Sequence, residues 1–517
     1  HARVIEQKLD DIMTILHQDR ERVSRTDRLP PHSQFPNEGS TSYQDHPPLD
    51  ATTPPPSGSI SIVPGFEVSF VEANQALQEY MTVMLPEFPF VPLPSLKACD
   101  MYKDKPFLLK TILWACRPPG PDVSATFEKW FRQYIAHQTI SLVNKNLELV
   151  QALLLFFAWN DIYFSATNKD TGLLYLAIGL VEDLGLARPR RTVNPTFKSI
   201  FEDAAQMRNA LPPQPTQTNA DHRTFLGVYY ITSTLCSLLG KRSRLEYTAH
   251  FDHCCAQLLH DQEYPTDALL VNLIHIRKIA MKVNDTFWET IDITNSRPLG
   301  NVHFIAVASI RNELDCFMRE LPDHLKSNHL IQTHSAAVCI RLFEPFKYGD
   351  RGEMLEPSHL RYRLMWDCLE STRELYNAFL LVPVKSYPYL TFASILHLAL
   401  AIIKAMRLLC VEDHAWELDT ARTMYNLPNI LQQLSNLFEA ASNSGSPRCK
   451  IVLHGQPIFS NYAESYRGIE RHYLSMVNSG ATHSDSAMTE PAITNYGEQY
   501  DFELWNQLCD LTYGFVP

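Results

Sequence analysis

The chain is short of glycine, of paired cysteines, of basic charge and of long apolar runs, and each shortage excludes something. Eighteen glycines are spread thinly over 517 residues, and none forms a phosphate-cradling loop or a Gly-x-Ser-x-Gly elbow. His-Glu-x-x-His is missing as well, so no familiar nucleophile or metalloprotease motif argues for an enzyme. The eleven cysteines are scattered, Cys254-Cys255 is the only close pair, and there is no Cys-x-x-Cys. They read as reduced, mostly buried thiols. A net charge of −12 argues against these residues gripping nucleic-acid phosphates, which attract a basic surface. The longest apolar stretch, residues 389–403, is interrupted by Thr391, Ser394 and His397 and ends at Lys404. It falls short of the roughly 18 apolar residues a membrane span requires, reads as a core helix, and no membrane partner is expected.

What the chain has instead is apolar residues recurring at spacings of three and four. A hydrophobic fraction of 45% is enough for a large core, and strand-like alternation is nearly absent. The pattern predicts helices over 71–85, 107–116, 127–143, 147–164, 173–186, 223–239, 268–291, 304–321, 331–343, 360–381, 390–410 and 421–441. Pro118-Pro119, Pro212-Pro213 and Pro298 mark breaks. No fixed repeat length points to a solenoid. The fold class is therefore all-α, a multi-helix core over 66–442.

The flanks differ in composition. Ile5, Leu9, Ile12 and Leu16 follow the spacing of a coiled-coil seam, so residues 1–23 are read as a dimerisation segment, implying a homodimer. Two heptads are marginal alone, since isolated helices below about 12–15 residues barely hold in water. Residues 24–65 are proline-rich and poor in large apolar side chains, and are expected to be a disordered linker. Residues 443–517 turn polar again. After Arg471 there is no Lys or Arg, only six acidic residues, and most of this tail is expected to be disordered. Near its end Asp501 neighbours Phe502, Leu504, Trp505, Leu508 and Leu511. Such a stretch can fold as an amphipathic helix into a partner's groove, or serve as a solubilising tail.

Candidate chemistry is sparse. His250-Phe-Asp-His-Cys-Cys255 is the densest group of metal-capable side chains, but zinc needs three or four convergent ligands and nothing nearby supplies a second spaced pair. A packing role is the better reading. An all-α terpenoid-synthase type of enzyme needs carboxylates at helical spacing for magnesium and diphosphate. Asp10-Asp11 lacks a third member, and Asn284-Asp285 has Trp288 where a metal-binding hydroxyl is wanted. Lys241-Arg-Ser-Arg244 and Arg188-Pro-Arg-Arg191 sit at predicted helix ends, where the helix dipole favours cations.

Two segments carry a resemblance. The first is Val150-Gln-Ala-Leu-Leu-Leu-Phe-Phe-Ala-Trp159, followed by a helix ending in Asp183-Leu-Gly-Leu186. The second is Asp221-His-Arg-Thr-Phe-Leu-Gly227, running on to Tyr247-Thr248. In this order they resemble the middle homology region of fungal binuclear zinc-cluster transcription factors. His222 stands where the family's first arginine is usual, and Tyr247 replaces a tryptophan. Elementary physics accounts for several of these positions without a site. Gly185 suits the left-handed position that ends a helix, and Arg223 calls for an acidic partner across the core.

The resemblance implies a nuclear regulator of RNA polymerase II transcription. In that family a six-cysteine cluster binds two zinc ions and reads DNA ahead of a linker and coiled coil. Here the chain opens after the point where such a cluster ends, so DNA contact and zinc are expected upstream of residue 1, with no cofactor in these residues. The acidic, aromatic tail resembles an activation segment that meets transcriptional coactivators, and the helical core is expected to answer to a small-molecule effector or a partner. The alternative is a helical sensor or co-regulator without its own DNA-binding module.

Overall fold

The computed structural model describes residues 58–160, 171–188, 217–239, 241–287, 301–344, 358–411, 416–453 and 456–482. The chain divides at Asp50/Ala51 into two units, and all described residues belong to the second. The seam of Ile5, Leu9, Ile12 and Leu16 lies outside the described residues. So does the segment of Asp501, Phe502, Leu504, Trp505, Leu508 and Leu511.

The first described element corrects the expected linker boundary at residue 65. Strand β1 (Ser59–Val63) pairs antiparallel with β2 (Phe66–Ser69). Ser59-Ile-Ser-Ile alternates with a period of two, and Pro64-Gly65 supplies the turn, with Gly65 at φ +80°. Ile60, Ile62, Phe66 and Val68 are buried. Ser69 then opens helix α1 (Phe70–Glu79) with a reciprocal capping box. Its hydroxyl accepts the Glu72 N–H at 3.2 Å while Glu72 accepts the Ser69 N–H at 3.0 Å.

Helices α2 (Ala98–Asp104), α3 (Pro106–Cys116), α4 (Pro121–Ala136) and α5 (Leu147–Trp159) follow. Pro106 and Pro121 each stand at a first helical position, where the missing N–H is harmless. Every residue from 107 to 116 and from 149 to 159 is buried, so α3 and α5 are enclosed on all sides, and they pack together. Glu148 of α5 accepts the N–H groups of Phe107 (2.7 Å) and Leu108 (3.0 Å), satisfying donors that the start of α3 leaves open. Helix α6 (Thr171–Asp183) ends in a Schellman motif. Gly185 sits at φ +69°, with Leu186 N–H on the Val181 carbonyl (2.9 Å) and Gly185 N–H on the Glu182 carbonyl (3.0 Å).

Helix α7 (Asn219–Leu238) is the centre, with every residue from 222 to 236 buried. Against it pack α5, α6, α8 (Ala249–Asp261), α9 (Asp267–Phe287) and, further on, α13 (Phe392–Leu408). Helices α10 (Asn301–Glu320), α11 (His329–Phe343) and α12 (Ser358–Leu380) extend the layer beyond α9. Tyr389 joins distant parts of the chain. Its carbonyl accepts Trp159 Nε1–H at 3.0 Å, and its hydroxyl donates to Glu79, which also pairs with Arg117 at 2.5 Å.

The segment from 443, read as mostly disordered, is folded as far as Thr482. After α14 (Leu418–Tyr425) and α15 (Leu427–Ser442), a small two-stranded ladder leads into α16 (Ile458–Thr482), which packs along α15. Ile458, Phe459, Ala463, Tyr466, Ile469 and Tyr473 form its buried face, with Phe459, Tyr462 and Tyr466 gathered around Phe438. The stripe is largely aromatic and its opposite face is polar, which makes the segment look soluble by composition. No described helix is long and apolar enough to cross a membrane.

Gly227 marks a close approach of α7 to its neighbours. A Cβ there would lie 2.8 Å from Leu154 Cδ1 and 2.9 Å from Phe90 Cβ. Alanine normally gains about 1 kcal/mol over glycine in a helix, but Phe90 Cβ is fixed to its backbone and cannot yield. Gly227→Ala is therefore expected to destabilise by about 1–3 kcal/mol in urea denaturation. A stabilised variant would show that the contact is loose.

Candidate functional site

The polar residues of α7 demand partners, because leaving a polar group unpaired in a buried helix is costly. Asp221, the acid of the family-like motif, closes a second capping box. Its carboxylate accepts the Thr218 N–H at 2.7 Å while the Thr218 hydroxyl accepts the Asp221 N–H at 3.2 Å. Thr224 donates to the Ala220 carbonyl at 2.7 Å and accepts Gln151 Nε2–H at 3.2 Å. Gln151 Oε1 in turn accepts Lys105 Nζ–H at 3.0 Å. The Gln of the first motif thus binds the threonine of the second.

Arg223 finds the acidic partners that the sequence left unnamed. Its Nε and Nη2 bind Asp267 in a fork at 2.7 and 2.8 Å, and Nη1 binds Glu263 Oε2 at 2.9 Å. Arg223 and Asp267 side chains are each 2% exposed. Tyr264 covers the guanidinium, 4.6 Å from Cζ to the ring centre. Burial opposes the charge, and the two carboxylates outweigh it, so the Arg223 pKa is raised.

Further along α7, Tyr230 and His334 of α11 exchange a hydrogen bond at 2.7 Å, and the His334 ring meets His397 of α13 edge-on at 4.7 Å. Burial, then the neighbouring His397 and Arg277, push His334 well below its ordinary pKa. Burial, then Arg277, push His397 down to about 3. Both rings are neutral at pH 7. Arg277 of α9, 3% exposed, donates to Ser233 through Nε (3.2 Å, Oγ) and Nη2 (2.8 Å, carbonyl).

The His250–Cys255 group is a packing cluster. His250 Nε2 bonds the Leu186 carbonyl at 2.9 Å, Cys254 Sγ lies 3.6 Å from that ring nitrogen, and the His250 and His253 rings stack at 6.1 Å. Among the described residues no three His, Cys, Asp or Glu side chains are arranged to hold a metal ion. Burial raises the thiols of Cys116, Cys254, Cys255 and Cys339 to about 12 and keeps them protonated. His222, which stands where the resembled family usually has an arginine, is buried with its Nδ1 unpartnered and its ring 6.2 Å from His253. Tyr247 takes the tryptophan's place by stacking on Phe251 at 4.9 Å, donating to Asp252 at 2.7 Å and receiving Lys278 over its ring at 4.3 Å. Thr248 starts α8 without a side-chain cap bond.

These features define an all-helical core whose motif residues cap, pair and pack one another. The comparisons agree in class. The transcription factor opdL of Penicillium oxalicum is 23% identical over 387 residues, covering 71% of this chain and 65% of that protein. The transcription factor himD of Aspergillus japonicus is 24% identical over 345 residues, 65% of this chain and 54% of that protein. The transcriptional regulator WAR1 of Candida albicans is 22% identical over 199 residues, 37% of this chain and 20% of that protein. The chain is a relative of fungal transcription factors, and it spans between half and two thirds of the first two. No family model matches the chain, and no solved structure matches it.

Two outcomes are expected. Arg223→Met strands Asp267 without its cation and costs about 3–5 kcal/mol, while adding Asp267→Leu recovers most of the loss. A double-mutant cycle in urea reads this, and additive losses would show the pair to be uncoupled. The histidines give the second. Because folding depresses their pKa values, below about pH 6.5 the unfolded chain takes up protons that the folded chain refuses. Their stabilisation is complete above that pH and falls by about 1.4 kcal/mol per pH unit per imidazole on acidification. His397→Gln is expected to flatten the pH 6–5 slope by about one proton, and an unchanged slope would mean that His397 is not held neutral.

Proposed function

We propose that this chain is the regulatory and activating portion of a nuclear transcription regulator of the fungal zinc-cluster type. The observation that carries the proposal is the ordered set of motifs from Gln151 to Tyr247, folded around one central helix. Relatives that are named transcription factors align over 71% and 65% of the chain. In this reading the helical unit is a scaffold and sensor and performs no catalysis. Its acidic balance suits contact with proteins better than with DNA phosphates. DNA is read by a zinc-cluster module outside the described residues, zinc belongs to that module, and the complete protein acts as a homodimer.

Activation falls to the acidic, aromatic segment of Asp501, Phe502, Leu504, Trp505, Leu508 and Leu511. Its apolar residues would enter a coactivator groove as one helix face, with the carboxylates keeping it solvated beforehand. A small effector or partner acting on the helical unit would control that exposure.

The test is a reporter assay with the chain fused to a heterologous DNA-binding domain. The fusion is expected to activate, and either deleting residues 483–517 or combining Trp505→Ala with Leu508→Ala is expected to remove most of the output. Output unchanged by both would take the activating role away from the tail.

A further inference from the structure

Lys110 is a lysine in a setting built for apolar groups. It lies in the middle of α3, whose residues 107–116 are all buried, and is itself 8% exposed. Among the described residues its ammonium makes no hydrogen bond or ion pair; what it meets is the Trp130 ring of α4, 5.5 Å from Nζ to the ring centre. Lys404, which is similarly buried, is by contrast held by Glu344. An aromatic face attracts a cation but gives back only part of the hydration that burial removes. Burial pushes the Lys110 pKa down to about 8, and no carboxylate opposes it.

The surroundings form an aromatic cluster at the protein's edge. Trp130 meets Phe107 at 5.5 Å and Tyr134 at 5.7 Å. Trp130 and Tyr134 are only half-buried, so the cluster borders solvent. One turn along α3, Trp114 stacks on Phe127 at 4.9 Å, and Phe127 in turn meets Trp130 at 5.5 Å. Trp114 is 4% exposed and its buried Nε1–H has no acceptor. An amine without a counter-charge, an apolar wall and a spare hydrogen-bond donor thus share the α3–α4 face.

We propose that Lys110 is an acylation site, which takes an acetyl group from an acyl thioester. The Nζ lone pair attacks the thioester carbonyl carbon, the new C–N bond replaces the C–S bond, and the sulfur leaves as a thiol with the proton that the nitrogen sheds. The product is a neutral amide, so the unpaired charge disappears from the cluster. Its carbonyl is an acceptor of the kind that Trp114 Nε1–H lacks. The site is independent of the transcriptional reading.

The full chain is incubated with acetyl-CoA at about pH 8 to low conversion, and each lysine is quantified by peptide mass spectrometry. About half of the Lys110 amines are neutral there, against less than about 1% for an ordinary lysine. Lower basicity and partial enclosure give back some of that lead, so Lys110 is expected to acetylate about tenfold faster than the exposed Lys129 and Lys385. Its rate is expected to level off above about pH 8 while theirs keep rising, and the lead is expected to vanish in urea, where the cluster is lost. A Lys110 that reacts no faster than Lys129 and Lys385, that reacts only once the chain is unfolded, or whose rate still climbs steeply past about pH 9 would overturn the proposal.

Discussion

A helix surrounded on every side must find partners for its polar groups in its neighbours or its own backbone, and α7 does so for most of them, leaving His222 Nδ1, Tyr229 Oη and Thr234 Oγ1 unpaired. From His222 to Cys236 it meets no solvent, yet it carries Arg223, Thr224, Thr232, Ser233 and Thr234. Its partners tie it to three neighbours. Asp267 sets the start of α9, Gln151 sets α5, and His334 sets α11. Thr232 turns back to the Val228 carbonyl at 2.6 Å. Wrong registers of these helices would bury unpaired groups, so the polar set helps to select one packing from many that an apolar core would tolerate.

This view changes what the motifs mean. Asp221 is a cap, Arg223 a buried ion pair, Gly227 a point of close approach and Gly185 a helix stop. Their observed contacts are of these four kinds, so the likeness these residues carry is likeness of a packing plan. A core built from helices joined by buried polar contacts suits regulation, because exchanging a few such contacts can favour one arrangement over another.

Much of the fold was legible. Helices α3, α5 and α13 show their burial in mostly apolar sequence with few charges, and Gly185 shows where α6 ends. The partner of Arg223 was not legible, because Asp267 lies 44 positions away among other acids and only the fold brings it in. The β1–β2 hairpin had a usable signal in Ser59-Ile-Ser-Ile and Pro64-Gly65, but the proline-rich composition around it dominated the reading. Helix α16 was hidden by the polar residues between its aromatic anchors Phe459, Tyr466 and Tyr473.

The most direct test of the central claim is native-state hydrogen exchange on the full chain. If α7 is the centre on which the other helices depend, the amides of 222–236 exchange only through global unfolding and are the slowest of the described residues. Helices α4 and α16, toward the edges, then open at lower free energy. Fast exchange in 222–236 while α4 or α16 stays protected would contradict the account, because the polar set of α7 would then not be what holds the core in register.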